Sequence, residues 1–158
     1  MSIERARAHL RKHGLEDRIQ EFTVSSATVA LAAEALGCEP ARIAKSLSFE
    51  KGDSAILVIA AGDARIDNAK FKQRFGIKAK MLSADKVEPL IGHGIGGVCP
   101  FAVNDGVPVY LDESLKRFEV VYPAAGSSNS GIGLTIPELE EHSRCTAWVD
   151  VCKDWRTE

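Results

Sequence analysis

One lysine in a largely apolar strand is the residue of this sequence with the clearest chemical potential. Lys45 begins an alternating segment, residues 45–50, which places it on the same face as Leu47 and Phe49, the face expected to point inward. An unpaired ammonium is costly to bury, so this side chain must extend to solvent or meet an anionic group. Extension to solvent is the more common outcome. The alternative is a cation at the mouth of a pocket, binding a phosphate or a carbonyl oxygen.

A glycine-rich segment, residues 92–97, is the second candidate. Gly92, Gly94 and Gly97 match the G-x-G-x-x-G pattern of dinucleotide-binding proteins, and an acidic residue follows at a distance suited to a ribose contact. That pattern works only between a strand and a helix. Here a helical segment comes first, and Pro100 favours extended backbone at the residue before it. A nucleotide-dependent oxidoreductase is therefore rejected.

The adjacent glycines of that segment, Gly96 and Gly97, allow backbone N–H groups to approach a ligand closely. Such a pair can form an anion-binding concavity or an oxyanion hole. The simpler interpretation is a tight structural turn, which the pattern alone favours.

Three further features carry weaker signals. Cys99 could be a nucleophile, but no suitable base or cationic cluster adjoins it, and such a cysteine more often fills a core position. His9 and His13 are four residues apart on a predicted helix and lack a third ligand, which indicates a solvated face. Asp112 ends a strand, where its carboxylate can orient a lysine or, more commonly, cap the next helix.

Basic residues concentrate in residues 70–80, which we call the basic segment. It contains no acid and holds a quarter of the 20 lysines and arginines: Lys70, Lys72, Arg74, Lys78 and Lys80. A run of charge is usually a solvated face. In a chain with a net charge of −2, this run is also the best candidate for contact with a phosphate backbone.

The composition limits the class of protein. The 158 residues are 45% apolar and 27% charged, which is typical of a soluble globular chain. No apolar run approaches the ~20 residues needed to cross a bilayer, and the amino terminus lacks the apolar region of a secretory signal. The four cysteines are widely spaced, which argues against both a disulfide framework and a zinc site. We expect a reduced, cytoplasmic protein with no membrane partner and no metal.

The elements that must position these residues are numerous and short. Periodicity and capping residues predict helices at 3–13, 28–36, 67–75, 84–90 and 138–142, and strands at 21–24, 45–50, 55–61, 78–82, 107–111, 119–122, 132–135 and 147–151. Residues 45–50 and 55–61 form a predicted hairpin in the centre of a sheet. Without repeats or linkers, residues 1–158 are expected to form one mixed α/β (α+β) domain. So many short strands favour a strongly curved mixed sheet.

Several motifs, taken together, resemble one family. They are Ile43-Ala-Lys45-Ser-Leu, Asp63-Ala-Arg-Ile-Asp67, Gly96-Gly-Val-Cys-Pro100, and Ala125-Gly-Ser-Ser-Asn129 followed by Leu134-Thr. Their order and spacing are similar to the YbaK/EbsC family, free-standing relatives of the editing domain of bacterial prolyl-tRNA synthetases. The similarity extends from about residue 20 to residue 150. No single motif is specific, but their joint order is.

This resemblance implies a fold, a reaction and roles for residues. The fold is a single domain with a curved, partly barrel-like mixed sheet flanked by helices. The reaction is trans-editing, which hydrolyses the ester of a mischarged tRNA, above all of the tRNA-Pro type, without a metal or organic cofactor. Lys45 would hold the phosphate or ribose of the terminal adenosine, and the Gly96 N–H would polarise the carbonyl. Water or a group of the substrate would be the nucleophile. Gly97, Cys99, Pro100 and Asp112 are assigned to substrate binding beside them.

The last loop of the predicted site departs from the characterised deacylases. Residues 126–131 lack the basic residue typical of that loop, which is similar to the EbsC-like branch. We expect Gly126, Ser127 and Asn129 to contact the substrate, and the small side chains here suit a compact aminoacyl group.

The predicted partner is the 3′ end of an aminoacyl-tRNA, and the need for a synthetase partner is left open. Four residues of the basic segment are assigned to the tRNA backbone: Lys70, Arg74, Lys78 and Lys80. The alternative, from another functional class, is a non-catalytic module of the same fold that binds a nucleotide or an aminoacyl-adenosine.

Overall fold

The computed structural model describes residues 2–25, 28–94 and 98–155. Five helices lie in these ranges: α1 (Ser2–Arg11), α2 (Val29–Leu36), α3 (Asn68–Phe75), α4 (Ala84–Ile91) and α5 (Ile136–Ser143). The strands are β1 (Ile19–Glu21), β2 (Ile43–Lys51), β3 (Ser54–Ala61), β4 (Arg65–Ile66), β5 (Val109–Asp112), β6 (Val120–Pro123), β7 (Ser130–Ile132), β8 (Leu134–Thr135), β9 (Ala147–Val149) and β10 (Cys152–Lys153). All five predicted helices are confirmed to within about two residues at most ends.

A six-stranded mixed sheet organises the molecule. Its strand order is β8-β6-β2-β3-β5-β9, and it curls into a half-barrel flanked by helices. β2 and β3 pair antiparallel along their whole length, with Lys45 opposite Ala60. The neighbouring pairs β2–β6, β3–β5 and β5–β9 are parallel. The predicted mixed, curved sheet and its central hairpin are therefore confirmed.

Aromatic packing fixes α3 against the sheet. Asp67 caps the helix through bonds from the backbone N–H groups of its first turn. Four rings then form a continuous stack, with centroids 4.7 to 5.0 Å apart: Phe49, Phe71, Phe75 and Tyr110. Phe71 is fully buried, and rings of this size contribute most of the burial energy of a small core. Through Phe49, these ring contacts fix β2, the strand that carries Lys45, against α3.

Two strand predictions are wrong, and a third, residues 132–135, is divided between β7 and β8, which lie in different sheets. Residues 78–82 form no strand: they meet β2 only through a bridge between Phe49 and Met81 and backbone bonds to Glu50 and Ser48. Only one residue pair there bridges to β2, on the edge of β2 that faces away from β3, so no continuous ladder forms. The first strand lies at Ile19–Glu21 and not at 21–24, because it pairs with β7 in a separate two-stranded sheet.

Within the described ranges, no helix is both long enough and apolar enough to cross a membrane. All four cysteines are free thiols, as their spacing predicted.

Candidate functional site

A small pocket lies where β2, β6 and α2 meet, and we call it the Lys45 pocket. Its volume is about 80 Å³. The lining residues come from five segments: Thr28, Val29, Ala32 and Leu36; Ile43, Ala44, Lys45 and Ser46; Val98; Tyr122, Pro123 and Ala124; and Ser130. Lysine is the only charged residue type among them.

One face of α2 forms a wall of this pocket. The Thr28 hydroxyl caps the helix by accepting the N–H of Leu31 at 3.2 Å, and Gly37 ends it in the left-handed conformation. Wall positions 28, 29, 32 and 36 repeat at helical spacing, so they share one face. Ala32 keeps this wall close to the strand that carries Lys45.

The Lys45 ammonium is partly buried and is held by backbone carbonyls. Nζ donates to the carbonyl oxygens of Ala64 and, at 3.4 Å, of Gly62. From the sequence, the side chain was expected to extend to solvent or to meet an anionic group. The structure shows neither fully, because the partners are neutral carbonyl oxygens of the turn after β3. A third N–H remains, and it has no hydrogen-bond partner in residues 2–25, 28–94 and 98–155.

The environment of Lys45 weakens its positive form. Burial lowers the pKa of this ammonium, and nearby Arg65 acts in the same direction, while Cys152 and Asp63 oppose the shift. Desolvation is the largest of these effects. A cation kept in this state gains strongly from an anion that enters the pocket, because the surroundings screen their attraction poorly.

Gly62 allows the turn that holds the ammonium. A Cβ at this residue would lie 2.0 Å from the carbonyl oxygen of Pro40 and 2.8 Å from a methyl of Val29. The turn is also tied down by the adjacent Asp63, whose carboxylate accepts two bonds from Arg117, at 2.5 and 2.9 Å. This part of the motif at residues 63–67 therefore supports the position of Lys45.

Two serines that had not been singled out from the sequence also line the pocket. The Ser46 hydroxyl is buried and has no hydrogen-bond partner within the described residues. Ser130 is 3% exposed, and its hydroxyl accepts a bond from Ser127 Oγ at 2.7 Å. Their signals in the sequence were weak: one follows Lys45, and the other ends the serine-rich loop.

The loop predicted to contact substrate is folded onto itself. Ser127 Oγ lies within hydrogen-bonding distance of Asn129 Oδ1, at 2.9 Å, and of Ser130 Oγ. The Asn129 amide donates to the Phe22 carbonyl at 2.9 Å, and Gly126 turns the chain with φ near +104°. Of this loop, Ser130 lines the pocket, while Gly126, Ser127 and Asn129 are not among its lining residues.

Cys99, Pro100 and Asp112 do not line the Lys45 pocket, and their contacts are with other parts of the fold. Asp112 is fully buried, and its carboxylate accepts backbone N–H groups of Ser114 and Val151, at 3.0 and 2.9 Å. This geometry assigns Asp112 to capping, the more common of the two roles considered for it. Pro100 lines a different cavity, beside His9.

Cys99 has a histidine neighbour and is still no nucleophile. Its Sγ lies 3.5 Å from His93 Nε2, but that nitrogen is 2.6 Å from the Phe101 carbonyl and must therefore carry the proton. Burial raises the pKa of the Cys99 thiol to about 12 and lowers the pKa of His93. A thiol without a proton acceptor cannot form the reactive thiolate.

Gly96 and Gly97, the predicted carbonyl-polarising pair, lie outside the described residues. Val98, directly after them, lines the Lys45 pocket.

The basic segment is divided by tertiary pairing. Lys70 forms an ion pair with Asp150 at 3.2 Å, and Lys80 lies 3.6 Å from Glu50. Arg74 stacks over Phe75 and Tyr110. Lys70 and Arg74 line one cavity of about 580 Å³, and Lys78 lines another of about 440 Å³. The predicted backbone contacts are accessible, but they do not form one uninterrupted positive surface.

Comparisons with known proteins agree with this arrangement. The aminoacyl-tRNA editing domain family matches residues 23–141, which include all lining residues of the Lys45 pocket. The chain belongs to the aminoacyl-tRNA editing domain family. The resemblance stated from the motifs is thereby confirmed.

Individual editing-domain relatives give further detail. The chain is 54% identical to the "Uncharacterized protein YwhH" of Bacillus subtilis (strain 168), over 98% of this chain and 99% of that protein. It is 32% identical to a proline–tRNA ligase of Shouchella clausii (strain KSM-K16), over 75% of this chain but only 20% of the ligase. A solved structure described as a "putative trans-editing enzyme for prolyl tRNA synthetase" superposes with a TM-score of 0.85 and 30% identity, covering 96% of this chain and 97% of that one.

Proposed function

We propose that this editing domain is a deacylase that acts in trans on mischarged tRNA in the cytoplasm. The observation that carries the proposal is the Lys45 ammonium at a small pocket, held by two carbonyls and with one N–H that no described residue accepts. Membership in the editing family and the relation to proline–tRNA ligases support tRNA of the proline type as the substrate class.

In the proposed mechanism, Lys45 binds the phosphate or ribose of the terminal adenosine. Its desolvation is then offset by an anionic or polar partner, which orients the ester over the pocket. The Gly96 N–H donates to the ester carbonyl oxygen, joined after a side-chain rotation by the Ser46 hydroxyl, which is buried and has no partner among the described residues.

Water is the proposed nucleophile, since Cys99 is a buried thiol. Its oxygen adds to the ester carbonyl carbon, and the negative charge that develops on the carbonyl oxygen is stabilised by those donors. The bond to the ribose oxygen then breaks, and the proton of the attacking water passes to that oxygen. The products are the free amino acid and tRNA with an intact 3′ hydroxyl. No metal or organic cofactor enters this scheme.

Size selection follows from the walls of the pocket. Ala32, Ala44 and Ala124 line a volume of about 80 Å³, which suits a compact aminoacyl group. Such a pocket discriminates by about 1–3 kcal/mol per methylene. Rejection of larger side chains is therefore expected to be graded.

The test is a panel of mischarged tRNAs, with tRNA-Pro included, in which release of labelled amino acid is measured. We expect the wild type to deacylate at least one member. Lys45→Ala, with its fold checked by circular dichroism, should lose this activity. A wild type that leaves the whole panel intact contradicts the enzyme proposal.

The second candidate is a non-catalytic module, favoured by the non-basic loop whose Ser127 and Asn129 side chains pair with each other. Titration with an amide-linked aminoacyl-adenosine analogue separates the two. Binding of the analogue without turnover of any ester supports the module.

A further inference from the structure

Three of the four histidines of this chain converge at one place. His9 lies on α1, His13 lies in the turn that follows α1, and His142 lies on α5. One ring nitrogen from each comes within 4.8 Å of the others. We call these residues the histidine cluster. The expectation of a solvated face without a third ligand is therefore wrong, because α5 supplies that ligand from 129 residues further along the chain.

Burial separates this cluster from an ordinary surface group. His9 is 8% exposed and His142 is 6% exposed, while His13 is open to solvent. The ring centroids are 5.2 Å apart for His9 and His13, and 4.6 Å apart for His13 and His142. Two buried imidazoles thus face one exposed, adjustable imidazole.

Hydrogen bonding among the described residues leaves one ring nitrogen of each buried histidine available. His9 Nε2 lies 2.9 Å from the His142 carbonyl, which can only accept, so Nε2 carries the proton and Nδ1 keeps its lone pair. His142 Nδ1 is buried and has no partner among the residues that the structure describes. Metal-binding histidines commonly have such an anchored second nitrogen.

We propose that His9, His13 and His142 form a binding site for a divalent transition-metal ion, with Zn²⁺ as the ion that fits best. Three neutral imidazoles are a typical zinc ligand set, with Zn–N distances of about 2.0–2.1 Å. In tetrahedral geometry the ligating nitrogens are then about 3.3 Å apart. The three nitrogens lie within 4.8 Å of one another, so closing to this separation requires movements of up to roughly 1.5 Å, to which the exposed His13 in its turn can contribute.

The surroundings complete the site. A polar cavity of about 160 Å³ is lined by both His9 and His142, so a water molecule from it can occupy the fourth coordination position. The Glu141 carboxylate lies 3.8 Å from His142 Nε2, beyond hydrogen-bond distance, and would have to move closer to support that ring as a ligand. A bound ion would fasten α1 to α5.

This inference does not rest on the deacylase proposal. The histidine cluster lies outside residues 23–141, the part matched by the editing family. Its cavity shares no lining residue with the Lys45 pocket. Loss of one activity is therefore distinguishable from loss of the other.

The experiment uses the full chain after treatment with a chelator that is then removed. Zn²⁺ binding is measured by calorimetry and by the midpoint of thermal unfolding, and Co²⁺ serves as a spectroscopic probe. We expect one ion per chain, a higher unfolding midpoint with Zn²⁺, and Co²⁺ bands without the charge-transfer absorption of thiolate ligands.

His13→Ala is the decisive variant, because this exposed residue can be removed without disturbing the core. It should weaken Zn²⁺ binding by at least about 100-fold, the upper end of the loss seen for outer-shell partners, and leave deacylation unchanged. Lys12→Ala, an exposed neighbour, is the matched control and should bind as the wild type does. His142→Gln provides a second test.

Wild-type affinity for Zn²⁺ in both histidine variants overturns the proposal. So does a thiolate signature with Co²⁺, or the absence of any binding by the wild type.

Discussion

Lys45 and the basic segment place the same kind of charge in opposite surroundings. Lys45 is partly buried, and neutral backbone carbonyls hold its ammonium. Lys80 keeps 75% of its side chain exposed beside Glu50, and Lys70 pairs with Asp150. The segment has more charge, yet each of those two cations already has an acidic partner. Position in the fold, and not the number of charges, decides which lysine can recognise a ligand strongly.

The energetic basis of this difference is screening. An exposed ion pair contributes about 0–1 kcal/mol, and added salt reduces it further. A partly buried cation is poorly solvated, so an incoming anion replaces little water and meets weak screening. We therefore expect substitutions at the two regions to differ by orders of magnitude.

The largest expected effect is at Lys45. Lys45→Ala should lower the rate of deacylation by about 100-fold or more, the scale of losing the contact that orients the ester over the pocket. Lys78→Ala, the matched control from the basic segment, should change the rate by less than about threefold. Single-turnover rates at saturating protein measure both. Equal losses in the two variants would remove the distinction between the regions.

The second expected effect tests how the ammonium is held. Gly62→Ala should move the turn away from Pro40, cost about 1–3 kcal/mol of stability through overpacking, and lower deacylation by about tenfold. Gly52→Ala is the control: its Cβ meets nothing within 4 Å, but φ is +60°, so it loses about 1–2 kcal/mol of stability. Urea unfolding and rate measurements on both variants separate stability from activity. If the Gly52 variant lost activity equally, the holding role of the turn would be refuted.

The third test concerns pH and the charge on Lys45. Because burial lowers the pKa of this ammonium below the ordinary 10.5, the folded protein releases the proton at lower pH than the unfolded chain. Binding of the amide-linked analogue needs the charged form, so it should be present at neutral pH and decline as pH rises through the folded pKa. Between the folded and the unfolded pKa of Lys45, the unfolded state binds more protons. The contribution of Lys45 to the free energy of unfolding therefore rises with pH in this range. Lys45→Met should show neither the decline in analogue binding nor the rise in stability. Calorimetric titration with the analogue, from neutral to alkaline pH, measures the binding.

The smallest expected effect is in the basic segment itself. Asp150→Asn frees Lys70 from its ion pair, so tRNA affinity should improve by less than about threefold. The slope of log affinity against log salt should steepen by at most about 0.7, the value for one contact to a single strand. Binding measured at several salt concentrations checks this. In a Lys70→Ala background the gain should vanish, and a gain that persists would assign it to another residue.

Local features of the sequence predicted much of the fold. Helical spacing and the glycines after residues 36 and 75 located α2 and α3, and alternation located β2 with Lys45. These succeed because capping and side-chain periodicity depend on residues close in the chain. The prediction at residues 78–82 failed because a strand also needs a run of residue pairs with a distant partner, and only Met81 bridges to β2 there.

The candidate site shows the same division. Lys45 could be selected from the sequence, since a cation in an apolar strand is conspicuous by itself. Ser46 and Ser130 could not, because what matters for them is the pocket that they line and, for Ser46, a hydroxyl with no partner in the part of the chain that the structure describes. Asp112 had two interpretations, and only its bonds to Ser114 and Val151 decided between them.

The sequence by itself determined the family motifs, most helices, the central hairpin and the importance of Lys45. Tertiary structure alone decided which acids pair with the basic segment, which residues surround the ammonium, and that His142 joins His9 and His13. The physical reason is the distance along the chain over which each effect acts. Periodicity and capping act over a few residues, whereas burial, ion pairing and metal-binding geometry depend on segments that only the folded chain brings together.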